Sequence, residues 1–417
     1  MSNTVKNQPA SVIMNTYGRF PVTLVKGKAS NVWDENGQKF LDYTSGIATC
    51  NLGHVPEHVH RKVKEQLDTL WHCSNLYEIP LQQQLATVLT ENSCFDQVFF
   101  CNSGAEANEA AIKLAKKYAS DQGYVEKTNI VTFTNSFHGR TGSTMAATGQ
   151  KKIHQGFTPL TPGFRYLPLN DFDALKEIND GKTTAVLLEL IQGEGGVNPA
   201  DQVWIKELAA LCEKEDILLM IDEIQTGVGR TGTLFAYDQF DIEPDVITSA
   251  KALASGFPVG AMLAKEEVAQ SFQPGSHGST FGGNPLVMSA ALATIQTIMN
   301  ENILHEVRNK AEWLRGKLGE LQRDFSSIEE VRGLGLLIGI QMTEEVKTWI
   351  SAFREKGILV LSAGSNVLRI LPPLTTTKEE LEYFIQTFRQ LLTEKEGFCH
   401  DKWIPIRESM KRERSKI

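Results

Sequence analysis

The feature that most constrains the fold is an alternation of short apolar segments with longer helical patterns through the middle of the chain. Helical patterns lie between several of the apolar segments, notably over residues 105–119 and 202–215. Strands that alternate with helices in this way pair mostly in parallel, so the order predicts an α/β protein whose sheet is covered by helices. The segments that we predict to be strands are Gln97–Cys101, Asn129–Phe133, Ala185–Leu190, Ile217–Asp222 and Asp245–Ser249.

The two ends of the chain have different patterns and predict a second, smaller α+β domain. Asn36–Gly37 is a strong turn signal and predicts a hairpin near the N-terminus. Toward the C-terminus, a long helical pattern over residues 303–324 is followed by strand patterns at 334–341 and 367–371. The predicted divisions are an N-terminal arm with small-domain strands (1–55), a large domain (56–300), a C-terminal small domain (301–395) and a basic tail (396–417).

Composition excludes several classes of function. The net charge of -8 creates no overall positive field for nucleic acid or an anionic membrane. The apolar runs are too short to span a bilayer. The six cysteines contain no CxxC pair, which predicts reduced thiols and a cytoplasmic location. No histidine and cysteine cluster has metal-ligand spacing, so no metal site is expected.

Polar or glycine-rich sequence follows several of the predicted strands. Ligands of open α/β sheets bind outside the carboxyl ends of the strands, so these segments predict a site. After the first strand, Ser103 and Glu106 fit a capping box at a helix start. The small residues Gly104 and Ala105 also leave backbone N–H groups free to face an anion such as phosphate. A helix cap without any ligand is the alternative interpretation.

A second strand end carries Phe137 and Arg140. The aromatic ring would stack on a flat cofactor, and the guanidinium group would bind a carboxylate with two hydrogen bonds. The alternatives are a core phenylalanine and a surface charge. The segment therefore adds to the evidence for a site at this edge of the sheet.

An aspartate and a lysine end two further strands. Asp222 directly follows apolar strand residues, where a carboxylate is unfavourable unless it has a partner. An ion pair would explain it, and so would a cofactor whose pyridine nitrogen it keeps protonated. Lys251 lies among small and apolar residues that limit water, which lowers the pKa of an amine and activates it toward a carbonyl group. Most such lysines are surface residues, but the pair together indicates pyridoxal 5′-phosphate (PLP).

Six segments of the chain together resemble the class III (ω-) aminotransferases, a subgroup of the fold-type I PLP-dependent transferases. The resemblance covers roughly residues 12–393 and implies the fold, the cofactor and a transamination reaction. The segments that carry it are Asn102–Asn108, Ser136–Thr141, Ile191–Val197, Ile221–Gly232, Thr248–Leu253 and Pro274–Asn284.

The resemblance implies a role for each residue at a matching position. Lys251 would be the catalytic lysine that carries the cofactor as a Schiff base, and Asp222 the partner of the pyridine nitrogen. Thr280 would reach the phosphate from the other subunit, which implies a homodimer with shared sites. The other implied cofactor contacts are Ser103, Gly104 and Ala105 at the phosphate, Phe137 and Ile224 on the two ring faces, and Gln225 at the ring hydroxyl.

The substrate contacts are expected to serve two differently charged substrates. Arg369 resembles the arginine that holds the α-carboxylate of glutamate, and Glu194 would mask it when no α-carboxylate is present. Arg140 is the candidate for the distant carboxylate, with Ser279 beside the substrate. Tyr17 lies where the family has an arm over the site. The alternatives are a structural salt bridge for Arg369, a loop glutamate for Glu194 and simple packing for Tyr17.

Within the class, the resemblance is greatest to enzymes that transfer the δ-amino group of N2-acetylornithine to 2-oxoglutarate. Free ornithine, N-succinylornithine and 4-aminobutyrate are alternative amino donors. A glutamate-1-semialdehyde mutase fits less well, because Arg369 and Glu194 suit an external glutamate. A non-catalytic PLP-binding protein is a distant alternative, which the presence of Lys251, Asp222 and Gln225 disfavours.

Overall fold

A computed structural model of the protein describes residues 12–397, so nearly all of the predicted basic tail lies outside the described residues. The strands are, in chain order, β1 (Leu24–Lys28), β2 (Asn31–Asp34), β3 (Lys39–Asp42), β4 (Gln97–Cys101), β5 (Asn129–Phe133), β6 (Phe164–Leu167), β7 (Thr183–Leu188), β8 (Ile191–Gln192), β9 (Asn198–Pro199), β10 (Leu218–Asp222), β11 (Val246–Ser249), β12 (Gly260–Ala264), β13 (Ile328–Leu334), β14 (Leu337–Met342), β15 (Ile358–Leu359), β16 (Leu361–Ala363) and β17 (Val367–Ile370).

Helices cover these strands. None of those in the described part of the chain combines the length and the apolar character needed to cross a bilayer. Two short 3₁₀ helices span Ala236–Phe240 and Lys251–Ala254. The α-helices are α1 (Ser45–Ala48), α2 (Glu57–Leu67), α3 (Pro80–Glu91), α4 (Gly104–Asp121), α5 (Gly142–Ala147), α6 (Lys151–His154), α7 (Phe172–Ile178), α8 (Gln202–Lys214), α9 (Glu266–Ala269), α10 (Pro285–Asn300), α11 (Ile303–Asp324), α12 (Lys347–Glu355) and α13 (Lys378–Glu396).

The central sheet has seven strands in the order β4-β12-β11-β10-β7-β5-β6. Only β12 runs against its neighbours, and the other adjacent pairs are parallel. All residues of β7 and β10 are buried, as expected for strands covered by helices on both faces. The predicted mostly parallel sheet is therefore confirmed, and each of the five predicted strands is present.

Two strands of this sheet were not predicted. β12 is a short run of glycine, alanine and larger apolar residues, a pattern that does not distinguish a strand from a buried helix. β6 is a partly exposed edge strand of only four residues, too short to show a period. Both follow from the packing of neighbouring elements more than from their own sequences.

A second core is formed by residues from both ends of the described chain. The sheet β13-β14-β17-β16 packs with α11, α12 and α13, and Leu41 and Tyr43 join this core from the N-terminal segment. The predicted hairpin is confirmed, because β2 and β3 pair antiparallel around the Asn36–Gly37 turn. One expectation was wrong in detail. The single strand predicted at 334–341 is two strands, with Gly335 at positive φ in the turn between them.

Arg230 connects the two cores. It is fully buried, and its Nη1 donates to the carbonyl oxygens of Leu336 (3.0 Å) and Pro372 (2.5 Å). Its Nη2 donates to Oδ1 of Asn51 at 2.5 Å. Burial lowers the pKa of this guanidinium group to about 9. These contacts hold the small-domain segment that follows β17 against the loop that follows β10, and thereby position Arg369.

Candidate active site

The loops after the central strands meet in a cavity of about 430 Å³ at the carboxyl edge of the sheet. Three larger clefts lie elsewhere on the described chain, but none of them contains any residue that the sequence predicts for the site. The predicted site residues that line the cavity are Ser103, Gly104, Ala105, Phe137, Arg140, Glu194, Asp222, Ile224, Gln225 and Lys251.

Asp222 ends β10 with its carboxylate buried and held by three donors. His138 Nδ1 and Asn108 Nδ2 each lie 2.8 Å from Oδ2. The backbone N–H of Ile224 donates to Oδ1 at 3.1 Å. Asn108 is itself fixed, because its Oδ1 accepts from the hydroxyl of Thr248 at 2.7 Å. The arrangement presents an oriented negative charge at the floor of the cavity.

Lys251 begins a 3₁₀ helix directly after β11, and its backbone has a φ of 42°, which is uncommon for a residue other than glycine. Burial lowers the pKa of its amine, although the negative charges of Glu194, Asp222 and Glu189 oppose this effect. A lysine with a lowered pKa is neutral more often at neutral pH and is therefore a better nucleophile.

The first turn of α4 forms one wall of the cavity. Ser103 caps this helix by accepting the N–H of Glu106 at 3.2 Å. The predicted capping box is only half correct, because the carboxylate of Glu106 accepts instead from the N–H of Asn102 at 2.7 Å. A Cβ at Gly104 would lie 2.7 Å from Cδ1 of Ile224, so a larger residue would have to displace the Ile224 side chain. Within this turn, the N–H groups of Gly104 and Ala105 have no partner inside the helix, an arrangement that favours an anion.

Phe137 and Arg140 lie together at the side of the cavity. The guanidinium carbon of Arg140 is 5.7 Å from the centre of the Phe137 ring, a cation–π arrangement. The side chain of Arg140 is exposed, so its charge remains accessible from solvent. Both residues line the cavity, as predicted.

Arg369, on β17, is 2% exposed and does not itself line the cavity, but it contacts Glu194 and Gln225, which do. Its Nη1 donates to Oε1 of Glu194 at 2.5 Å, and its Nη2 to Oε2 at 3.2 Å. Burial alone would raise the pKa of Glu194, but the charge and hydrogen bonds of Arg369 outweigh it and lower that pKa. Gln225 joins the pair, because its Oε1 accepts from Arg369 at 3.1 Å and its Nε2 donates to Glu194 at 3.4 Å.

Besides Arg369, three predicted site residues do not line the cavity of the single chain. Thr280 is exposed, and Tyr17 is 72% exposed. Ser279 is nearer, since its Oγ accepts from the side-chain amide of Asn102 at 3.1 Å. The loop that carries Ser279 and Thr280 therefore lies beside the start of α4, with Thr280 directed to the outside of this chain.

Three buried polar residues of the site had no predicted role in it. Glu189 lines the cavity after β7, and Asn108 holds Asp222 from the first half of α4. His138 also lines the cavity and contacts Asp222, but its sequence context is equally typical of a structural histidine. Glu189 has the same signal that identified Asp222, a carboxylate at the end of an apolar strand, and that signal would have identified it. Asn108 carries no such signal, because its contacts come from helix packing.

The comparisons with known proteins agree with this geometry. Residues 12–392 match the family model described as aminotransferase class-III. An acetylornithine aminotransferase from Oceanobacillus iheyensis is 61% identical over 95% of this chain and 99% of its own length. An acetylornithine aminotransferase from Bacillus subtilis is 48% identical over 92% of this chain and 98% of its own length.

Solved structures also resemble the chain over most of its length. N-acetylornithine aminotransferase from Stenotrophomonas maltophilia is 38% identical, with a TM-score of 0.80 over 91% of this chain and 98% of its own. An ornithine aminotransferase from Toxoplasma gondii, with PLP at partial occupancy in its active site, is 31% identical. Its TM-score is 0.88 over 92% of this chain and 93% of its own. The chain therefore belongs to the class-III aminotransferases.

Proposed function

We propose that this aminotransferase transfers the δ-amino group of N2-acetylornithine to 2-oxoglutarate, giving N-acetylglutamate 5-semialdehyde and glutamate, a step of arginine biosynthesis. The observation that carries the proposal is that Lys251, Asp222 and Glu194 line one cavity, with Arg369 paired to Glu194. The first two residues suit amino transfer, and the pair suits alternation between substrates. The names of the similar proteins support the choice of N-acetylornithine.

The residues of the cavity fit PLP as the cofactor. An amine, a buried carboxylate and a helix N-terminus are the partners that an aldehyde, a pyridine nitrogen and a phosphate require. Lys251, Asp222 and the first turn of α4 supply them from three sides. Phe137 and Ile224 offer apolar surfaces for the two faces of a flat ring.

In the proposed mechanism, the side chains of this chain move one proton and stabilise one charge. When bound, PLP supplies an aldehyde that condenses with amines and a ring that accepts electrons. Lys251 takes up on Nζ the proton of the carbon that bears the substrate's amino group, and later returns it. Asp222 holds a proton on the ring nitrogen, and His138 and Asn108 keep its carboxylate oriented for that task.

The Arg369–Glu194 pair would let the site accept two kinds of substrate in turn. N-acetylornithine presents a δ-amine with no carboxylate beside it, so Arg369 can stay paired with Glu194. Glutamate presents an amine next to an α-carboxylate, which would replace Glu194 on Arg369 in a two-point contact. Arg140, exposed at the side of the cavity, would bind the distant carboxylate of both substrates.

We also propose a homodimer in which Thr280 reaches the phosphate site of the partner subunit. The exposed side chains of Trp71, Leu76, Tyr77 and Phe281 form apolar surface beside Thr280, which is typical of a protein–protein interface. The two segments are joined, since the rings of His72 and Phe281 lie 5.4 Å apart.

The proposal also includes two substrate contacts and a cellular compartment. Ser279 would lie beside the substrate, and Tyr17 would cover it from the N-terminal arm. The five cysteines among the described residues are free thiols, which supports a reducing compartment such as the cytoplasm.

Half-reaction spectra test the substrate. The purified PLP-loaded protein would be mixed separately with N-acetylornithine, N-succinylornithine, ornithine and 4-aminobutyrate, and the cofactor absorbance recorded against time. We expect N-acetylornithine to give the highest rate constant per unit concentration, and 2-oxoglutarate to restore the starting spectrum. A reaction with free ornithine alone would replace the named substrate with ornithine, the substrate named for several structural neighbours. No spectral change with any amine would refute the transaminase proposal.

A further inference from the structure

Glu189 is a buried carboxyl group in the cavity to which the proposed mechanism gives no task. It follows β7, and because Leu188 pairs with Ile221, Glu189 and Asp222 end adjacent strands at one edge of the sheet. It is 5% exposed and lines the cavity. Burial, with the charge of Asp222, raises the pKa of Glu189 well above its ordinary value. Such a position is unfavourable for a carboxyl group unless its oxygens are hydrogen-bonded, so its partners indicate its role.

Both oxygens of Glu189 accept backbone N–H groups from loops that carry site residues. Oε2 accepts the N–H of Phe137 at 2.9 Å, and Oε1 accepts the N–H of Gly193 at 3.3 Å. The first loop carries the aromatic side chain at the cavity wall, and the second continues directly into Glu194. One carboxyl group thus connects the loop that carries Phe137 to the loop that carries Glu194.

The contact with Gly193 extends to Arg369. The carbonyl oxygen of Gly193 accepts from Nη1 of Arg369 at 3.0 Å, next to the ion pair with Glu194. A Cβ at position 193 would lie 2.2 Å from Oε1 of Gln225, so this backbone packs closely against Gln225. A shift of Gly193 would therefore displace one acceptor of Arg369 and move Glu194 with it.

We propose that Glu189 is a positioning residue for substrate choice, which holds the Gly193 backbone so that Glu194 stays paired with Arg369. The inference rests on the proposed function, because the pair affects substrate choice only if Arg369 receives an α-carboxylate in one half-reaction. When the 193–194 segment is loosened, the ion pair between Glu194 and Arg369 is weakened. Arg369 without this partner remains able to bind the α-carboxylate of glutamate. We therefore expect kcat/KM to fall most for N-acetylornithine, which has no carboxylate beside its reacting amine.

Glu189→Gln tests this role with little change in side-chain volume. The amide has one acceptor oxygen, so if it keeps the N–H of Phe137 it turns an NH₂ group toward the N–H of Gly193. We expect kcat/KM for N-acetylornithine to fall about tenfold, the size of effect that one unpaired buried N–H produces. The kcat/KM for glutamate should fall clearly less, so the ratio of kcat/KM for N-acetylornithine to kcat/KM for glutamate should fall.

Glu223→Gln is the matched control. Glu223 is as buried as Glu189 and follows Asp222, but its oxygens accept from Thr226 Oγ1 and from the N–H of Tyr237, outside the cavity. The ratio should stay at the wild-type value in this variant. An unchanged ratio in the folded Glu189→Gln protein, or an equal shift in the control, would overturn the inference. If Glu189→Gln does not fold, Glu189→Asp, which keeps two acceptor oxygens on a shorter side chain, is measured against the same expectation of a shifted ratio.

Amide hydrogen exchange gives a readout that needs neither substrate nor cofactor. In the cofactor-free protein, the peptide covering residues 190–197 should exchange faster in Glu189→Gln than in wild type, and at the wild-type rate in Glu223→Gln. Equal exchange in all three proteins would contradict a positioning role. If wild type reacts with no amino donor, the proposed function fails, and the exchange result still decides whether Glu189 holds this loop.

Discussion

Nδ1 of His138 lies 2.8 Å from Oδ2 of Asp222, and both side chains are buried at the floor of the cavity. Because Asn108 donates to the same oxygen, two side chains orient the carboxylate of Asp222. In the proposed mechanism, the negative charge of this carboxylate is needed to keep the pyridine nitrogen protonated. A neutral replacement of the same shape therefore separates charge from packing.

Asp222→Asn should lower kcat by about 10²-fold or more, because an amide cannot keep a ring nitrogen protonated. The folded structure should persist, since the side-chain volume is unchanged. Steady-state turnover and a thermal melt by circular dichroism measure the two effects. Turnover close to wild type would refute the role of Asp222.

Glu194→Ala should shift the balance between the half-reactions. Without its partner, the buried charge of Arg369 is open to an α-carboxylate at all times, so kcat/KM for glutamate should be kept or raised. For N-acetylornithine it should fall by about tenfold, because the arginine is then uncompensated beside a substrate with no adjacent carboxylate. Asp324→Ala, which breaks an exposed ion pair with Arg389, is the control. Unchanged kinetics for both substrates would remove the masking role.

His54 predicts a pH dependence of stability. Its Nε2 lies 2.8 Å from Oδ2 of Asp42, and the hydrogen bonds to Asp42 and Cys50 raise its pKa to about 10. The folded-state pKa is above the unfolded value of about 6.5, so the contribution is complete below that pH and is lost as the pH rises toward 10. The pKa of Asp42 is lowered, although its burial acts in the opposite direction, so its share is lost only under acidic conditions.

The free energy of unfolding of His54→Gln should therefore differ most from wild type near pH 6, and the difference should shrink toward pH 10. Urea unfolding of the cofactor-free protein at a series of pH values measures it. His60→Gln, at an exposed position on α2, should show no such trend. A difference that stayed constant across this range would contradict the assignment.

Arg230 predicts a loss of stability by a change far from the cavity. Arg230→Met keeps an unbranched apolar side chain, shorter than that of arginine, but leaves the carbonyl oxygens of Leu336 and Pro372 without their donor. We expect the free energy of unfolding to fall by about 2–4 kcal/mol. Arg230→Lys keeps a positive charge but not the several N–H donors of the guanidinium group. Its free energy of unfolding should lie between those of wild type and Arg230→Met. A methionine variant as stable as wild type would show that solvent or neighbouring groups satisfy these oxygens.

The sequence predicted those parts of the fold whose signals are local. The bounds of β4 and β5 agree with the predicted strands, because turn residues follow each of them directly. β12 and β6 were missed, since a short run of small residues and an exposed edge strand have no distinctive period. The turn at Gly335 was also missed, and it becomes visible only when β13 pairs with β14.

The same distinction holds for the site. Asp222, Lys251 and the start of α4 are recognisable where they stand, because each directly follows a strand. The contacts of Gln225 are not, since they depend on how the small domain brings Arg369 to the large sheet. Gln225 was predicted to bind a ring hydroxyl, and that role stays a prediction beside its observed contacts with Arg369 and Glu194.

The shared site predicts complementation between two inactive variants. Lys251→Ala removes the amine from its own cavity, and Thr280→Ala removes a phosphate contact that we assign to the partner's cavity. In a mixed dimer, one cavity then carries both changes and the other carries neither. Co-expression with two affinity tags, followed by isolation of the doubly tagged dimer, gives the species to be measured.

If subunits pair at random, an unfractionated mixture should recover about a quarter of wild-type activity, because half of the dimers each hold one intact site. The control is Lys251→Ala combined with Asp222→Asn. Lys251 and Asp222 line the same cavity of one chain, so every cavity of that mixed dimer keeps a defect and no activity should return. No recovery in the test pair would show that Thr280 acts within its own chain, and the apolar surface beside it would then need another explanation. Recovery in the control would contradict the placement of Lys251 and Asp222 in one cavity.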